Sequence, residues 1–188
     1  MKKIGITGSL ASGKTSASKI LSSRKGPLFS ADKVVKNLYQ KKAIKKIIAK
    51  KFNIKSLTSI KNILKEKILD NKSNIKKLEK ILHPLVRKEM FNFIRKNKNK
   101  KFIFLEIPLL IESKLMKNFD IIFFIKAKKS IRLKRFRSKG GSKRLFDLLN
   151  NHQLADIKKV KYCDHIVVNE KNLNILKQLL LDIFKSYE

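Results

Sequence analysis

The segment Gly8-Ser9-Leu10-Ala11-Ser12-Gly13-Lys14-Thr15 matches the pattern G-x-x-x-x-G-K-[ST] at every fixed position. It follows the apolar residues 3–7 and precedes a helical pattern in which Ala17, Ile20 and Leu21 share one face. A phosphate-binding loop needs this strand–loop–helix context, because the loop amides then face the anion at the positive end of the helix. The context argues against a chance match in a lysine-rich and serine-rich chain. The segment therefore predicts an α/β fold of the P-loop class.

Each fixed residue of the loop has a chemical reason. Gly8 and Gly13 allow turns and close approaches that a Cβ would obstruct. Lys14 would reach the β- and γ-phosphates, and Thr15 would give its hydroxyl to Mg²⁺. These residues predict a site for a nucleoside triphosphate and its metal ion.

Length and composition limit the class of protein. A chain of 188 residues accommodates one α/β core with small inserted lobes. The formal charge of +33 attracts polyanions. However, the basic residues are spread along the chain and accompany many Ile and Asn residues, so we favour compositional drift over specific nucleic-acid binding.

The single cysteine, Cys163, excludes an internal disulfide and a cysteine-based zinc site. No apolar run is long enough to span a membrane. We expect a cytoplasmic protein without a membrane partner.

A second candidate group follows the loop helix. Residues 28–32 predict a short strand that ends at Asp32, at the edge where ligands of parallel sheets gather. A carboxylate there is suited to accept the proton of an attacking hydroxyl. The alternative is that Asp32 caps a helix that starts at Lys33, and both roles can hold together.

Residues 34–97 show helical periodicity throughout and predict a helical lobe inserted in the α/β core. Within the lobe, Pro84 is expected to end one helix and start the next, which would hold His83 at a bend. The alternative for His83 is a helix-capping or partly buried histidine.

The apolar strand at residues 102–105 ends at Glu106, the arrangement of a Walker B element whose carboxylate reaches Mg²⁺. Pro108 prevents the strand from continuing, and the apolar residues after it predict a floor for a ligand with Glu112 at its rim. Residues 120–125 predict a buried interior strand.

The remaining chain predicts a helix over 131–137, a basic glycine-containing loop over 138–144 and a helix from 145 to about 159. A strand at 165–169 and a terminal amphipathic helix follow. The basic loop is suited to close over a triphosphate, although an RNA-binding patch would have a similar composition.

Together these elements resemble the dephospho-CoA kinase family, small P-loop kinases related in shape to nucleoside monophosphate kinases. The resemblance covers nearly the whole chain and is carried, in order, by residues 4–8, the loop through Thr15-Ser16, Ala31-Asp32, Leu78-Glu79, His83-Pro84, Val86, Pro108-Leu109-Leu110, Glu112, Leu133, Arg135, Gln153, Asp164, Ile166 and Asn169. It implies one kinase domain over 1–188, with a three-layer P-loop core of parallel sheet (about 1–32, 101–134 and 160–188), a helical acceptor-binding lobe (about 33–100) and a short lid (about 135–159).

The resemblance also implies transfer of the ATP γ-phosphate to the ribose 3′-hydroxyl of dephospho-CoA, the last step of coenzyme A synthesis. The catalytic residues would be Lys14 and Asp32, and the Mg²⁺ ligands Thr15 and Glu106. ATP would contact Gly8, Ala11, Ser12, Gly13, Lys14, Thr15, Ser16, Arg135 and Asn169. The acceptor would contact Asp32, His83, Arg87, Pro108, Leu109, Leu110 and Glu112. We expect a monomer with no specific nucleic-acid partner.

The chain departs from the usual family pattern at several positions. Ser9 and Ala11 stand where glycines are usual, and Thr15-Ser16 reverses the usual hydroxyl pair. Lys61 and Leu149 replace arginines, and lysine does not reproduce the bidentate fork of arginine.

Two alternatives remain. The same fold would serve a kinase of another small nucleoside-like or nucleotide-like acceptor. An RNA-associated P-loop NTPase would fit the charge, but the chain has no Asn-Lys-x-Asp motif, and its basic residues lack interleaved aromatic residues for base stacking.

Overall fold

A five-stranded parallel sheet forms the centre of the α/β part of the chain. The computed structural model describes residues 1–188. The strands lie in the order β2-β3-β1-β4-β5, with bounds β1 (Lys2–Gly8), β2 (Leu28–Ser30), β3 (Phe102–Glu106), β4 (Ile121–Lys126) and β5 (His165–Val168). Every neighbouring pair is parallel. All five carboxyl ends therefore lie along one edge of the sheet.

The interior strands β1, β3 and β4 are apolar on both faces. Along β3, for example, Phe102 and Phe104 face one core cluster, while Ile103 and Leu105 are buried on the opposite face. The sequence of a strand with both faces buried is a continuous apolar run, because helices and loops cover the two sides of a parallel sheet. This confirms the interior position predicted for residues 120–125, except that the strand begins at Ile121 and Asp120 lies exposed before it.

Nine α-helices and one 3₁₀ turn, Met116–Asn118, complete the structure. Their bounds are α1 (Lys14–Ser22), α2 (Ala31–Leu38), α3 (Lys42–Phe52), α4 (Ile60–Asp70), α5 (Ser73–Lys96), α6 (Lys129–Arg137), α7 (Lys143–His152), α8 (Asp156–Val160) and α9 (Leu173–Lys185). None of the helices is both long and apolar enough to cross a membrane.

The chain divides into two compact units. One consists of Met1–Ser30 and Ile94–Glu188 and contains the sheet. Its main core lies where α1 and α9 pack on the sheet, with Leu21, Leu180 and Phe184 among the fully buried side chains. The other unit, Ala31–Phe93, contains α2, α3, α4 and most of α5. It has an apolar cluster of its own, which includes Ile48, Ile60 and Leu82 among others.

The predicted strand at residues 28–32 is too long. Strand β2 ends at Ser30, and Asp32 lies exposed in the first turn of α2. The ladder stops there because Ser30 pairs with Glu106, the last residue of β3. Asp32 is therefore not at a strand end, and it is inside the helix and not its cap. A carboxylate in the first turn is favoured by the helix dipole.

The predicted helix break at Pro84 is wrong. Helix α5 runs without interruption from Ser73 to Lys96 with Pro84 inside it. The proline nitrogen cannot donate to the carbonyl four residues earlier, which costs about 3 kcal/mol in a helix interior. Apolar residues on both sides of it, such as Leu82 and Met90, are buried, and this burial maintains the helix through the proline. His83 is consequently a half-buried helical residue and not a residue at a bend.

The predicted helix from 145 to about 159 is two helices. Helix α7 begins at Lys143 and ends at His152, and α8 begins at Asp156. Ser142 caps α7, because its side chain accepts a hydrogen bond from the Leu145 amide at 3.2 Å. Between the helices, Gln153 has an extended backbone. Its side chain and the Leu154 amide make tertiary hydrogen bonds, so the helix does not continue.

We expect Phe184→Ala to lower the free energy of unfolding by about 3–5 kcal/mol, because it leaves a cavity in a closely packed core. Phe184 is fully buried, and its ring lies 5.1 Å from that of Phe102 and 5.7 Å from that of Phe104, measured between ring centroids. Leu179→Ala, on the same helix at 41% exposure, is the matched control and should stay within about 1 kcal/mol of the wild type. Urea denaturation measures both. Equal losses for the two variants would contradict this account of the core.

Candidate active site

The loop between β1 and α1 depends on two glycines. Gly8 has φ 147° and Gly13 has φ 99°, conformations that residues with a Cβ rarely adopt. A Cβ on Gly8 would lie 2.3 Å from the carbonyl oxygen of Ile125. A Cβ on Gly13 would lie 2.1 Å from Nδ2 of Asn169. The first and last glycines of the motif are therefore required by backbone conformation and by close neighbours.

Ala11 takes a left-handed conformation without being glycine. Its φ is 58°, which costs an L-residue about 1–2 kcal/mol. The loop keeps its shape here in spite of the local preference of the residue.

The ammonium group of Lys14 lies inside the loop. Its Nζ donates to the carbonyl oxygens of Ser9 at 2.7 Å and Gly8 at 3.2 Å, and the residue is only 8% exposed. Because the lysine is the first residue of α1, its position is fixed by the turn that Gly13 makes. The positive charge and the amino end of the helix therefore lie at the same place, as an anion-binding loop requires.

Thr15 and Glu106 meet at the carboxyl edge of the sheet. The Thr15 hydroxyl donates to Oε1 of Glu106 at 2.6 Å. Glu106 is 1% exposed, and its Oε2 is buried with no hydrogen-bond partner. A buried carboxylate oxygen without a partner is costly, so the pair fits a cation or a hydrogen-bond donor supplied from outside the chain. No group of three or more His, Cys, Asp or Glu side chains forms a metal site made by the protein alone. A hydroxyl and a carboxylate match Mg²⁺ bound mainly by phosphate and water.

Asn169 and Arg135 both hold the loop at Ser12. Asn169 Nδ2 donates to the Ser12 carbonyl at 2.8 Å, and Arg135 Nη1 donates to the same oxygen at 3.3 Å. Arg135 also donates to the Asn169 carbonyl at 3.0 Å. The structure thus brings Arg135 and Asn169 together against the loop. Ser16 is exposed on α1, one residue after Thr15.

Arg132 is a loop contact that sequence reasoning missed. This buried guanidinium donates to the Leu10 carbonyl at 3.3 Å, the Ala127 carbonyl at 3.1 Å and Asn150 Oδ1 at 2.7 Å. Burial lowers the pKa of Arg132, whereas the nearby Asp156 carboxylate raises it. The i, i+3 spacing from Arg135, which puts both arginines on one helix face, is the signal that could have identified it.

Two residues after α7 also contact the loop. Gln153 Oε1 accepts a hydrogen bond from the Leu10 amide at 3.1 Å, and Asp156 accepts one from the Ser9 hydroxyl. Gln153 supports the family resemblance but had no predicted role, and Asp156 had none either. Their sequence separation from the loop, more than 140 residues, leaves no local signal for these contacts.

Residues 107–112 follow β3 directly and are here called the acceptor segment, because they include four residues predicted to contact the acceptor. The Thr7 hydroxyl donates to the Pro108 carbonyl at 3.2 Å, which fixes the start of the segment beside β1. Pro108 and Leu109 are half-buried, and Leu110 is fully buried next to Gly5. Glu112 forms an ion pair with Lys159 at 2.7 Å.

The other candidate acceptor residues belong to the unit Ala31–Phe93. Asp32 is exposed at the start of α2. His83 and Arg87 lie four residues apart on α5, so they share one helix face, with His83 half-buried and Arg87 exposed.

Cys163 is unsuited to nucleophilic chemistry, because burial raises the pKa of its thiol to about 12.

The family model for dephospho-CoA kinase matches residues 2–174. The chain belongs to the dephospho-CoA kinase family. The dephospho-CoA kinase of Fusobacterium nucleatum subsp. nucleatum is 32% identical over 98% of this chain and 94% of its own length. That of Bartonella quintana (strain Toulouse) is 33% identical over 99% and 98%. The solved dephospho-CoA kinase from Campylobacter jejuni is 28% identical, with a TM-score of 0.68 over 100% of this chain and 98% of that one.

Membership of the dephospho-CoA kinase family confirms the predicted family, the α/β P-loop kinase fold and the prediction of an enzyme that transfers a phosphoryl group. The roles of individual side chains stay predictions. The loop, Glu106, Arg135 and Asn169 form one connected group in the sheet-containing unit, and the acceptor segment follows the same strand as Glu106.

We expect the two small residues of the loop to respond oppositely to substitution. Ala11→Gly should raise the free energy of unfolding by about 0.5–1 kcal/mol, because it relieves the left-handed strain and loses part of that gain to chain entropy. Gly13→Ala should lower it by about 1–3 kcal/mol, because φ is 99° and the new Cβ would displace the Asn169 side chain. Urea titration of both variants measures the difference, and a destabilised Ala11→Gly protein would refute the strain assigned to Ala11.

Proposed function

We propose that this enzyme transfers the γ-phosphate of ATP to the ribose 3′-hydroxyl of dephospho-CoA, giving coenzyme A and ADP. The bond between the 3′-oxygen and the γ-phosphorus forms while the bond from that phosphorus to the β–γ bridging oxygen breaks. The hydroxyl proton passes to a carboxylate. The observation that carries the proposal is the Thr15–Glu106 pair beside the Lys14 loop, in a chain of the dephospho-CoA kinase family.

On the donor side, the loop amides and Lys14 bind the ATP phosphates. Lys14 would exchange the Gly8 and Ser9 carbonyls for phosphate oxygens and neutralise charge that develops during transfer. Thr15 and Glu106 would hold Mg²⁺, which would lower the negative charge of the phosphates when bound. Gly8, Ala11, Ser12, Gly13 and Ser16 complete the phosphate site, and Arg135 and Asn169 border it.

On the acceptor side, Asp32 is the proposed base for the 3′-hydroxyl. Its carboxylate is exposed in the first turn of α2 and is suited in chemical type to accept this proton. His83 and Arg87 share one helix face, where a guanidinium and an imidazole suit the anionic oxygens of the acceptor. Pro108, Leu109, Leu110 and Glu112 supply the remaining contacts, with Glu112 as the polar group of the acceptor segment.

The enzyme is proposed to act in the cytoplasm as a monomer. A single cysteine, which cannot form a disulfide within the chain, suits a reducing compartment. The net charge of +33 favours substrates that carry several negative charges, because it raises their association rate.

An ADP-release assay over a panel of acceptors tests the substrate. We expect turnover with dephospho-CoA and at least about 100-fold lower kcat/KM with adenosine or AMP, because these lack the pantetheine arm and its binding energy. Omission of Mg²⁺ from the same assay should abolish turnover. Equal or better turnover of another nucleoside or nucleotide would assign the enzyme to that acceptor instead.

Substitution at the two proposed catalytic residues should separate chemistry from binding. Lys14→Ala should lower kcat/KM by about 10²–10³-fold and weaken ATP binding. Asp32→Asn should lower kcat by about 10²–10⁴-fold with ATP binding retained, which titration calorimetry with a non-hydrolysable ATP analogue measures.

The matched controls for this pair carry the same substitutions at exposed positions. Lys19→Ala lies on the same helix as Lys14, and Asp70→Asn lies at the end of α4 in the same unit as Asp32. Both should retain wild-type kinetics. An Asp32→Asn enzyme with unchanged kcat would show that another group accepts the proton.

A further inference from the structure

Lys159 is a lysine without solvent exposure. It lies on α8 and is 0% exposed, although the helix has only five residues and its neighbour Lys158 is exposed. A buried ammonium is costly unless it is paired and hydrogen-bonded. An apolar side chain of similar length would avoid that cost. The contacts of Lys159 therefore indicate a purpose other than stability.

The first of these contacts is with Glu112 in the acceptor segment. Lys159 Nζ lies 2.7 Å from Oε1 of Glu112, and the Leu154 amide donates to the same oxygen at 3.2 Å. The other carboxylate oxygen of Glu112, Oε2, is buried and has no hydrogen-bond partner. Two donors thus fix one oxygen of Glu112 and leave the second available to a hydrogen-bond donor that the chain does not provide.

The second contact leads to the phosphate loop. Lys159 Nζ lies 3.5 Å from Oε1 of Gln153, and that oxygen accepts the Leu10 amide at 3.1 Å. A distance of 3.5 Å is long for a hydrogen bond. The interaction is therefore mainly the electrostatic attraction between a buried charge and an amide dipole. The backbone also connects the acceptor segment to the loop, because Gln153 is adjacent to Leu154 and the Leu154 amide donates to Glu112.

We infer that Lys159 is a positioning residue that couples the acceptor segment to the phosphate loop. It holds Glu112 with one oxygen available to a donor group of the acceptor, such as a hydroxyl, amide or amino group. Through Gln153 it also sets the amide of Leu10 in the loop. Binding of dephospho-CoA at Glu112 therefore favours the loop conformation that binds ATP. Binding of ATP in turn favours the orientation of Glu112 that binds dephospho-CoA. The inference rests on the proposed function, since it assigns the two halves to dephospho-CoA and ATP.

The test compares KM values for both substrates in four variants. Glu112→Gln should raise chiefly the KM for dephospho-CoA, and Gln153→Ala chiefly the KM for ATP. Lys159→Met should raise both by about tenfold, the scale of a typical coupling between sites. Lys158→Met, on the exposed neighbour in the same helix, should change neither.

The KM readout separates positioning from a structural role. Partial unfolding reduces the amount of active enzyme and hence Vmax, whereas KM reports the folded molecules only. A Lys159→Met enzyme that is less stable but keeps both KM values would overturn the inference, and so would a change in only one of them.

Lys159→Met leaves the Glu112 carboxylate buried without its ion-pair partner and can prevent folding, so a second experiment keeps Lys159 and uses Glu112→Gln, whose amide oxygen still accepts hydrogen bonds from Nζ and from the Leu154 amide. In a double-mutant cycle, Glu112→Gln and Gln153→Ala should have non-additive effects on the KM for dephospho-CoA and on the KM for ATP, because both residues act through Lys159. Additive effects would overturn the coupling.

Failure of the proposed function gives a different result. It would appear as no turnover of dephospho-CoA by the wild-type enzyme. The cycle can then be repeated with the dissociation constant of a non-hydrolysable ATP analogue, measured by calorimetry, as the readout.

Discussion

The hydrogen bond from Thr15 to Glu106 joins the two elements on which the donor site depends. Thr15 is in the first turn of α1 and Glu106 is the last residue of β3, which lies beside β1 in the sheet. The bond can form only because parallel strands end at a common edge. It leaves one buried carboxylate oxygen without a partner, which adds an energetic cost to the protein without ligands. A cation or a hydrogen-bond donor at this oxygen would remove the cost, which is the reason we propose Glu106 as a metal ligand.

A second constraint acts on the loop from outside. Five side chains that lie far along the chain contact its backbone or its serine hydroxyl: Arg132, Arg135, Gln153, Asp156 and Asn169. Most of these contacts are made to peptide groups, which every sequence carries, so they fix the loop's shape without depending on its side chains. This explains how the loop accommodates Ala11 in a left-handed conformation where glycine would be relaxed. Residues 153–159 also contact Glu112, through the Leu154 amide and Lys159, so the same short stretch of chain contacts both the loop and the segment after β3.

Local sequence patterns predicted the elements well where one physical signal dominated. Continuous apolar runs gave β1, β3 and β4, and the three-to-four-residue periodicity gave α1 and α9. Errors occurred where local and tertiary preferences compete. Pro84 is a strong local helix breaker, yet burial on both sides of it keeps α5 continuous. Gln153 lies in a helical pattern, yet its hydrogen bond to Leu10 ends the helix. At Asp32 the ladder partner, β3, decided where the strand stops.

The sequence by itself determined the phosphate loop, because a glycine-dependent turn followed by Lys-Thr and a helix is a local structure that few other sequences form. The family and the reaction class were indicated by the resemblance of motifs along nearly the whole chain. Only the tertiary structure showed several side-chain contacts around the loop. The loop contacts of Arg132 and Asp156 and the buried Lys159–Glu112 ion pair join residues tens of positions apart. No local pattern encodes such pairs, since they depend on strand order and on the packing that brings distant segments to one edge of the sheet.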